Sequence, residues 1–291
     1  MKKISAIYQK KKIRGWLLGG MLMVLGLLLC LPVLVLFSGS LADGVEWQQR
    51  TVSYLQDTDG YILWRWIPDY PTLEHYRRLL FYSPAFFQLF WNSLRMTAGI
   101  LLGQLVIAVP AAWAFAVYRF PGKQALFSLY VILMLLPFQV TMLSKYLVLQ
   151  EAGLMNTPWA VVLPAVFSTF PVFLIYRSFT GIPAELLEAA RVDGAGEWQS
   201  FTRVGLPAAQ GGILAAMILS FLESWNMMEE PLAFLEDKAL WPLSLYLPEI
   251  AMNQAGYACA ASVITLTVSL FVFAIFHDAL EQGIITSGLK A

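Results

Sequence analysis

The chain has 291 residues, of which 58% are hydrophobic and only 13% are charged, and its formal net charge is zero. Soluble domains carry about a quarter charged residues, so this composition excludes an ordinary soluble domain and indicates an integral membrane protein. Because the net charge is zero, it gives no electrostatic argument for nucleic-acid binding. Cys30 and Cys259 lie in apolar runs, so we interpret them as small hydrophobic residues rather than a disulfide pair.

The N-terminus combines a basic tail with a long apolar run. Residues 1–14 contain six Lys and Arg and no acid, and residues 15–37 are uncharged. A cleaved signal peptide is one interpretation, but signal sequences have an apolar core of only about 7–15 residues. About twenty apolar residues span a bilayer, so we predict a cytoplasmic tail followed by a retained first transmembrane helix.

Residues 38–88 form a polar and aromatic segment that we predict to be extracytoplasmic. It contains no recognisable metal or nucleophile constellation. His75 is the single histidine there, so an exposed or hydrogen-bonded structural role is expected for it. The sequence indicates no function for this segment and does not define its fold.

Residues 89–278 are predicted to hold five further spans, followed by a cytoplasmic tail at 279–291. Proline inside a span is tolerated where neighbouring groups or water satisfy the freed carbonyls, which hints at a cavity, although a packing kink explains any single proline. The predicted spans are Trp91–Val117, Ala125–Val148 interrupted by Pro137, Trp159–Tyr176 broken by Pro164 and Pro171, a fifth that begins at Gly211 and extends through Asn226, and Ala258–Phe276.

A polar stretch, Ile182–Pro207, separates the fourth and fifth predicted spans. Pro183 suits the first position of a helix, and Gly194 and Gly196 can adopt the positive φ that ends one. A second short helix would carry Trp198, Phe201, Thr202 and Gly205 on one face. Two helices joined by a glycine elbow fit either a surface that docks a partner or a helix lying on lipid headgroups.

This stretch resembles the EAA loop of ABC-transporter permeases. Glu188, Ala189, Ala190, Gly194, Leu206 and Pro207 match the pattern, and Asp193, Phe201 and Arg203 fit its common variants. The surrounding chain is similar to the carbohydrate-importer, maltose permease-like branch. The resemblance implies the type I importer fold: an all-α membrane protein with six transmembrane helices and a cytoplasmic coupling-helix loop, here residues 182–207, between spans 4 and 5.

The resemblance also implies a function and partners. The chain would form half of the translocation pathway of a sugar or oligosaccharide importer, with a second permease subunit, two ABC ATPase subunits and an extracellular solute-binding protein. Glu188 would be the charged latch, Gly194 the elbow, and Leu186, Leu187 and Trp198 the buried contacts with the ATPase. The full set of predicted coupling residues is Leu186, Leu187, Glu188, Ala189, Ala190, Arg191, Asp193, Gly194, Trp198, Phe201, Leu206 and Pro207.

Polar residues in or near the spans are candidates for the translocation path, because such groups are costly in a bilayer and often functional. We select Asn92, Gln139, Glu223, Trp225 and Asn226, with Gln104, Thr141 and Lys145 as further candidates. Trp225 could stack on a sugar ring. Interhelical hydrogen bonding is the alternative for each, and Met227 departs from the acidic residue that follows W-N in the resembling family.

Charge asymmetry predicts the orientation. With six spans and a cytoplasmic N-terminus, twelve Lys and Arg fall on the cytoplasmic side and six outside. This satisfies the positive-inside rule and places the loop and both termini in the cytoplasm of a bacterial cytoplasmic membrane. The sequence has no G-x-x-x-x-G-K-[ST], H-E-x-x-H or G-x-S-x-G, so we predict no catalytic residue, metal or cofactor in this chain, with ATP and Mg on the partner ATPase.

Two alternatives remain open at this stage. The solute could be a polyol, glycerol phosphate or a peptide, because specificity depends on few side chains. A self-contained secondary transporter would show inverted repeats and paired intramembrane charges, and neither is clear in the sequence. The sequence does not identify the solute, the side chains that contact it, or whether the second permease is a distinct chain.

Overall fold

The computed structural model describes residues 2–49, 66–250 and 254–288. Within these ranges the regular structure is helical, and one isolated antiparallel bridge joins Ala42 to Pro71. The part of the predicted outer segment from Arg50 to Arg65 and the end of the predicted tail, residues 289–291, lie outside the described residues. The prediction of an all-α protein is confirmed for the described chain.

From Pro84 to Trp225 the helices follow one another with short connections. The segment predicted to couple to an ATPase, residues 182–207 (the coupling segment), contains a π-helical stretch, Ser200–Gly205, in its second half. In chain order the helices are α1 (Lys2–Leu41), α2 (Glu74–Tyr82), α3 (Pro84–Val117), α4 (Lys123–Leu135), α5 (Phe138–Glu151), α6 (Pro158–Val166), α7 (Thr169–Thr180), α8 (Ala184–Val192), α9 (Glu197–Ala208), α10 (Gln210–Trp225), α11 (Glu229–Phe234), α12 (Leu243–Tyr246) and α13 (Ala255–Gly288).

Four helical stretches among the described residues are long and apolar enough to cross a membrane: Leu18–Leu41, Pro84–Val117, Pro158–Thr180 and Ala255–Glu281. Two bent pairs bring the number to six if each pair is one span. The axes of α4 and α5 differ by 105°, and those of α9 and α10 by 72°. The chain is therefore a multi-pass membrane protein with four to six candidate spans.

The breaks in the third and fourth predicted spans have different causes. Pro137 disfavours a helical residue before it, and Leu136 is extended, with ψ 126°. The fourth span is divided at Phe167 and Ser168 rather than at its prolines. Pro164 lies within α6, and Pro171 lies in the first turn of α7, where a missing N–H costs nothing.

The chain divides into two compact units, residues 1–82 with 250–264, and residues 83–249 with 265–291. In the first unit, His75 Nε2 lies 3.0 Å from the carbonyl oxygen of Ala42. The hydroxyl of Tyr76 donates to Ser40 Oγ over 2.7 Å, and Glu46 accepts the N–H of Asp69 over 3.2 Å. His75 therefore ties two segments of this unit together, which is the structural role expected for it.

The core of the second unit lies among α3, α7, α9 and α10. Trp113, Ile175, Phe179 and Phe201 are buried in one hydrophobic cluster, against which Leu187 and Leu206 pack. Inside a bilayer, helices associate mainly through close van der Waals packing. This cluster therefore fixes the coupling segment to two spans.

Candidate functional site

The coupling segment, residues 182–207, begins with the short helix α8. Pro183 lies directly before its first residue, one position earlier than predicted, with an extended ψ of 133°. Glu185 is in the first turn of α8 and Arg191 in the last. Acids at the start and bases at the end of a helix complement its dipole, so the sequence supports a helix of this length.

A glycine cap ends α8. Gly194 has φ 81°, the Ala195 N–H donates to the Ala190 carbonyl over 2.9 Å, and the Gly194 N–H donates to the Arg191 carbonyl over 3.1 Å. This pair of bonds is the Schellman motif, which favours glycine at the left-handed position. The prediction of positive φ at Gly196 is wrong, because its φ is −70°.

Local side-chain bonds then start α9. Gln199 Oε1 accepts the N–H of Gly196 over 3.1 Å, and the Thr202 hydroxyl donates to the Trp198 carbonyl over 2.8 Å. The predicted common face is split: Phe201 and Gly205 are buried, whereas Trp198 is 73% exposed. The π-helical stretch changes the spacing on which the prediction of one face depended.

Aromatic rings connect this segment to the spans. The ring centroid of Trp113 in α3 lies 5.1 Å from that of Phe179 in α7 and 5.5 Å from that of Phe201 in α9. The ring of Trp198 lies 5.5 Å from Phe201, so the contacts continue to the surface. Sequence reasoning missed Trp113, whose only local signal is an aromatic residue near the end of a predicted span.

The predicted coupling residues fall into two groups. Those that are exposed are Leu186, Glu188, Ala189, Arg191, Asp193, Gly194, Trp198 and Pro207. Leu187, Phe201 and Leu206 instead pack against the chain's own core, and Ala190 is half-buried. Leu187 is half-buried against the spans, and its predicted contact with the ATPase stays a prediction.

The second region of interest is a cavity of about 760 Å³ within the second unit. Its wall comes from α3, the end of α4, α5, the region where α6 meets α7, and the stretch from α10 to α11. The polar side chains on it are Gln104, Thr141, Lys145, Glu223, Glu229 and Glu230, together with Ser168, Thr169, Ser224 and Asn226. Pro164 also lies on the wall, in agreement with the hint that the prolines gave.

Polar contacts cross between α5 and α11 beside this cavity. Lys145 Nζ lies 3.5 Å from Glu230 Oε1, and Gln139 Nε2 donates to Glu229 Oε1 over 3.1 Å. Glu229 and Glu230 occupy the first turn of α11, where the helix dipole stabilises negative charge. The sequence therefore holds two carboxylates at this edge of the cavity.

The five predicted path residues have different positions. Glu223 and Asn226 line the cavity, and Gln139 is bonded to Glu229 as above. Asn92 Nδ2 donates to the carbonyls of Ala239 and Trp241 over 2.8 and 3.1 Å. Its side chain therefore fixes the loop that contains these two residues.

The expectation that Trp225 stacks on a sugar ring is wrong for this structure. Its side chain is 1% exposed, and its ring centroid lies 5.8 Å from those of both Phe221 and Phe90. Its indole N–H donates to the Thr265 carbonyl over 3.3 Å. Both the ring and its polar atom are thus used by internal packing.

The helical spans, the charged cavity and the exposed segment fixed to the spans define a class of protein, a multi-pass membrane permease. Residues 99–286 match the family of binding-protein-dependent transport system inner membrane components, and the chain belongs to this family. It is a permease subunit of an ABC transporter, a component that is not itself an enzyme. The predicted family and fold are confirmed.

Individual relatives cover nearly the whole chain. The arabinooligosaccharides transport system permease protein AraQ of Halalkalibacterium halodurans is 27% identical over 96% of this chain and 97% of that relative. The sn-glycerol-3-phosphate transport system permease protein UgpE of Brucella melitensis is 24% identical over 92% of this chain and 95% of that relative. A crystal structure of a bacterial ABC transporter that imports the acidic polysaccharide alginate aligns with TM-score 0.76 and 20% identity over 92% of this chain and 96% of that chain, which shows the shared fold.

Proposed function

We propose that this chain forms half of the translocation pathway of an ATP-driven importer of sugars or oligosaccharides. Its partners would be a second permease of similar fold, two ABC ATPase subunits that hold ATP and Mg, and an extracellular solute-binding protein. The observation that carries the proposal is the ring contact series Trp198, Phe201, Trp113, Phe179, which links an exposed helical segment to two spans. The name of AraQ supports an oligosaccharide as the solute.

We further propose that the coupling segment and both chain termini face the cytoplasm. Basic residues are twice as numerous on the assigned cytoplasmic side, as the positive-inside rule requires. The exposed side chains Leu186, Glu188 and Trp198 would then contact the ATPase. Glu188 would accept a charge-assisted bond from a partner's Arg or Lys.

Transport would follow from movement of this segment. When two ATPases close on ATP, α8 and α9 move with them, and Phe201 transmits the displacement to Trp113 and Phe179. Because spans are rigid rods, they tilt and exchange an inward-open for an outward-open pathway. ATP can shift this equilibrium only if the closed ATPases hold the segment differently in the two states.

A specific observation favours one alternative solute class. The relative UgpE is named for sn-glycerol-3-phosphate, so a phosphorylated polyol is the second candidate. An uptake assay distinguishes a sugar from a phosphorylated polyol as the solute. The panel includes arabinobiose, lactose, diacetylchitobiose and glycerol 3-phosphate. A peptide, or a secondary transporter that works alone, has no comparable support.

Affinity purification from the native membrane followed by reconstitution tests the proposal. The tagged chain should co-purify with an ABC ATPase, and vesicles that hold the complex should take up a sugar of the panel only with ATP inside and the binding protein outside. Vesicles containing the purified chain alone that move solute without ATP would overturn the proposal.

A further inference from the structure

The cavity described above carries unbalanced charge. Glu223, Glu229 and Glu230 line it, and Lys145 is the one Lys or Arg among its lining residues. Lys145 is already within 3.5 Å of Glu230. The formal charge of the lining is therefore minus two, carried by Glu223 and Glu229.

The buried amide of Gln104 points to a ligand independently of these charges. The residue is 3% exposed and lies on the cavity wall, and its Nε2 donates to the Ala165 carbonyl over 2.9 Å. Its Oε1 is buried without a hydrogen-bond partner among the described residues. A buried acceptor left unpaired costs about 1–3 kcal/mol, so a hydrogen-bond donor is expected to meet it.

Several hydrogen-bond donors on this wall are already used within the chain, including the Ser224 hydroxyl, which donates to the Ser220 carbonyl, and the Asn226 amide, which donates to the Leu222 carbonyl. The Thr141 hydroxyl already donates to the Phe138 carbonyl over 3.1 Å, and the ammonium of Lys145 is engaged with Glu230. The acceptors of Gln104, Glu223 and Glu229 call for O–H or N–H groups from a solute. A carboxylate, sulfate or phosphate supplies only further acceptors and negative charge.

We propose that this cavity is a charge filter, which binds uncharged or positively charged polyhydroxyl solutes and rejects anionic ones. This inference rests on the proposed function and specifies its solute class. It separates the chain from two proteins of the same fold or family whose named cargoes are acidic, alginate and sn-glycerol 3-phosphate. The filter needs no contact with Trp225, because the selection comes from Glu223 and Glu229.

Binding to the complete complex tests the filter without interference from the solute-binding protein. The permease–ATPase complex is dialysed to equilibrium against three radiolabelled derivatives of one disaccharide, lactose, that share an open-chain end: the neutral alditol, the aminoalditol and the aldonate. We expect the alditol and the aminoalditol to bind at least about tenfold more tightly than the aldonate at low salt. The discrimination should shrink at high salt, because salt screens the two carboxylates.

Variants separate the net charge from individual contacts. Glu223→Gln with Glu229→Gln brings the formal charge of the lining to zero, so the aldonate should bind about as well as the alditol. Lys145→Gln with Glu230→Gln removes the ion pair but keeps the charge at minus two, so discrimination should persist. Glu236→Gln, an exposed acid that does not line the cavity, is the matched control.

The outcomes distinguish this inference from the proposed function. If the wild-type complex binds the aldonate as tightly as the alditol, or binds none of the three, the filter is overturned. If it also takes up a neutral sugar in an ATP-dependent manner, the proposed function stands without the filter. Absence of ATP-dependent uptake of every sugar in the panel overturns the proposed function itself.

Discussion

The indole ring of Trp113 fills the space that a side chain on Gly205 would need. A Cβ built on Gly205 would meet Cζ3 and Cη2 of Trp113, closer than such atoms approach in proteins. The end of the coupling segment therefore lies directly against α3, and the backbone itself makes the contact. A displacement of α9 cannot occur without displacing or repacking this tryptophan.

Gly205→Ala should destabilise the chain by about 1–3 kcal/mol, because an added methyl overpacks a filled core. The measurement is the unfolding midpoint of the purified complex together with ATP-dependent uptake, both of which should fall. Gly196→Ala is the control, since no atom lies within 4 Å of the added carbon. Trp113→Phe combined with Gly205→Ala should recover part of the loss, and unchanged stability of Gly205→Ala alone would contradict the close contact.

Gly194→Val should disrupt the glycine cap at the end of α8, and therefore reduce uptake, more than Gly194→Asn. The residue has φ 81°, a region that costs most residues about 1–2 kcal/mol and suits Asn better than a β-branched residue. Uptake by each variant complex is compared at equal expression. Gly196→Val is the matched control, because Gly196 has φ −70° and ψ 169°. Equal uptake by the two Gly194 variants would show that the cap does not limit coupling.

Glu188→Ala should uncouple ATP hydrolysis from uptake. Truncating one partner of a buried charge pair at an interface costs about 2–5 kcal/mol of binding free energy. The coupling segment of this variant should therefore detach from the ATPase. ATPase activity and uptake are measured in the same vesicles, and Glu185→Ala, an exposed acid one turn earlier, serves as control. Normal uptake and normal retention of the ATPase by Glu188→Ala would rule out the latch.

Trp198→Ala distinguishes docking to a partner from lying on lipid. An exposed tryptophan buried by a partner is a typical interface anchor worth about 2 kcal/mol or more. The variant should lose ATPase during purification, whereas Trp159→Ala, an exposed tryptophan at the start of α6, should retain it. Strong quenching of Trp198 fluorescence by brominated lipid in the intact complex would favour the lipid interpretation.

Glu74 should remain ionised to unusually low pH. Hydrogen bonds from Arg77 and then Arg78 lower the pKa of Glu74 to about 2. Because this pKa is lower in the folded chain than its ordinary value of 4.5, the contribution to stability is present above pH 4.5 and is lost as the pH falls towards about 2. Carbon-13 NMR titration of labelled glutamate, assigned with Glu74→Gln, measures it. Arg77→Gln should move the pKa back up, and a titration near pH 4 in the wild type would contradict the ion pairs.

Local patterns predicted several features correctly. The Gly194 cap follows from the geometry that only glycine adopts readily, and the break at Pro137 follows from the extended conformation that proline favours in the residue before it, Leu136. The start of α10 at Gln210 is one residue from the predicted Gly211. In each case the information lies within a few neighbouring residues.

Features that depend on distant contacts were predicted poorly. Leu187 and Phe201 were predicted as coupling residues, but the sequence did not indicate that they pack on Trp113 and its neighbours, which come from a different span. Trp225 was assigned to the path and is enclosed by Phe221 and Phe90. Helical spacing tells which residues share a face, but it does not tell what that face meets.

The sequence by itself determined that this is a multi-pass helical membrane protein of the importer-permease family with a coupling segment between spans. The length of the apolar runs and the E-A-A to L-P pattern can both be read along the chain without knowledge of tertiary contacts. Only the tertiary structure decided which side of that segment faces inwards. It also decided which acids and amides surround one cavity. The physical reason is that Gln104, Lys145 and Glu223 are far apart in the chain and meet only when α3, α5 and α10 pack together.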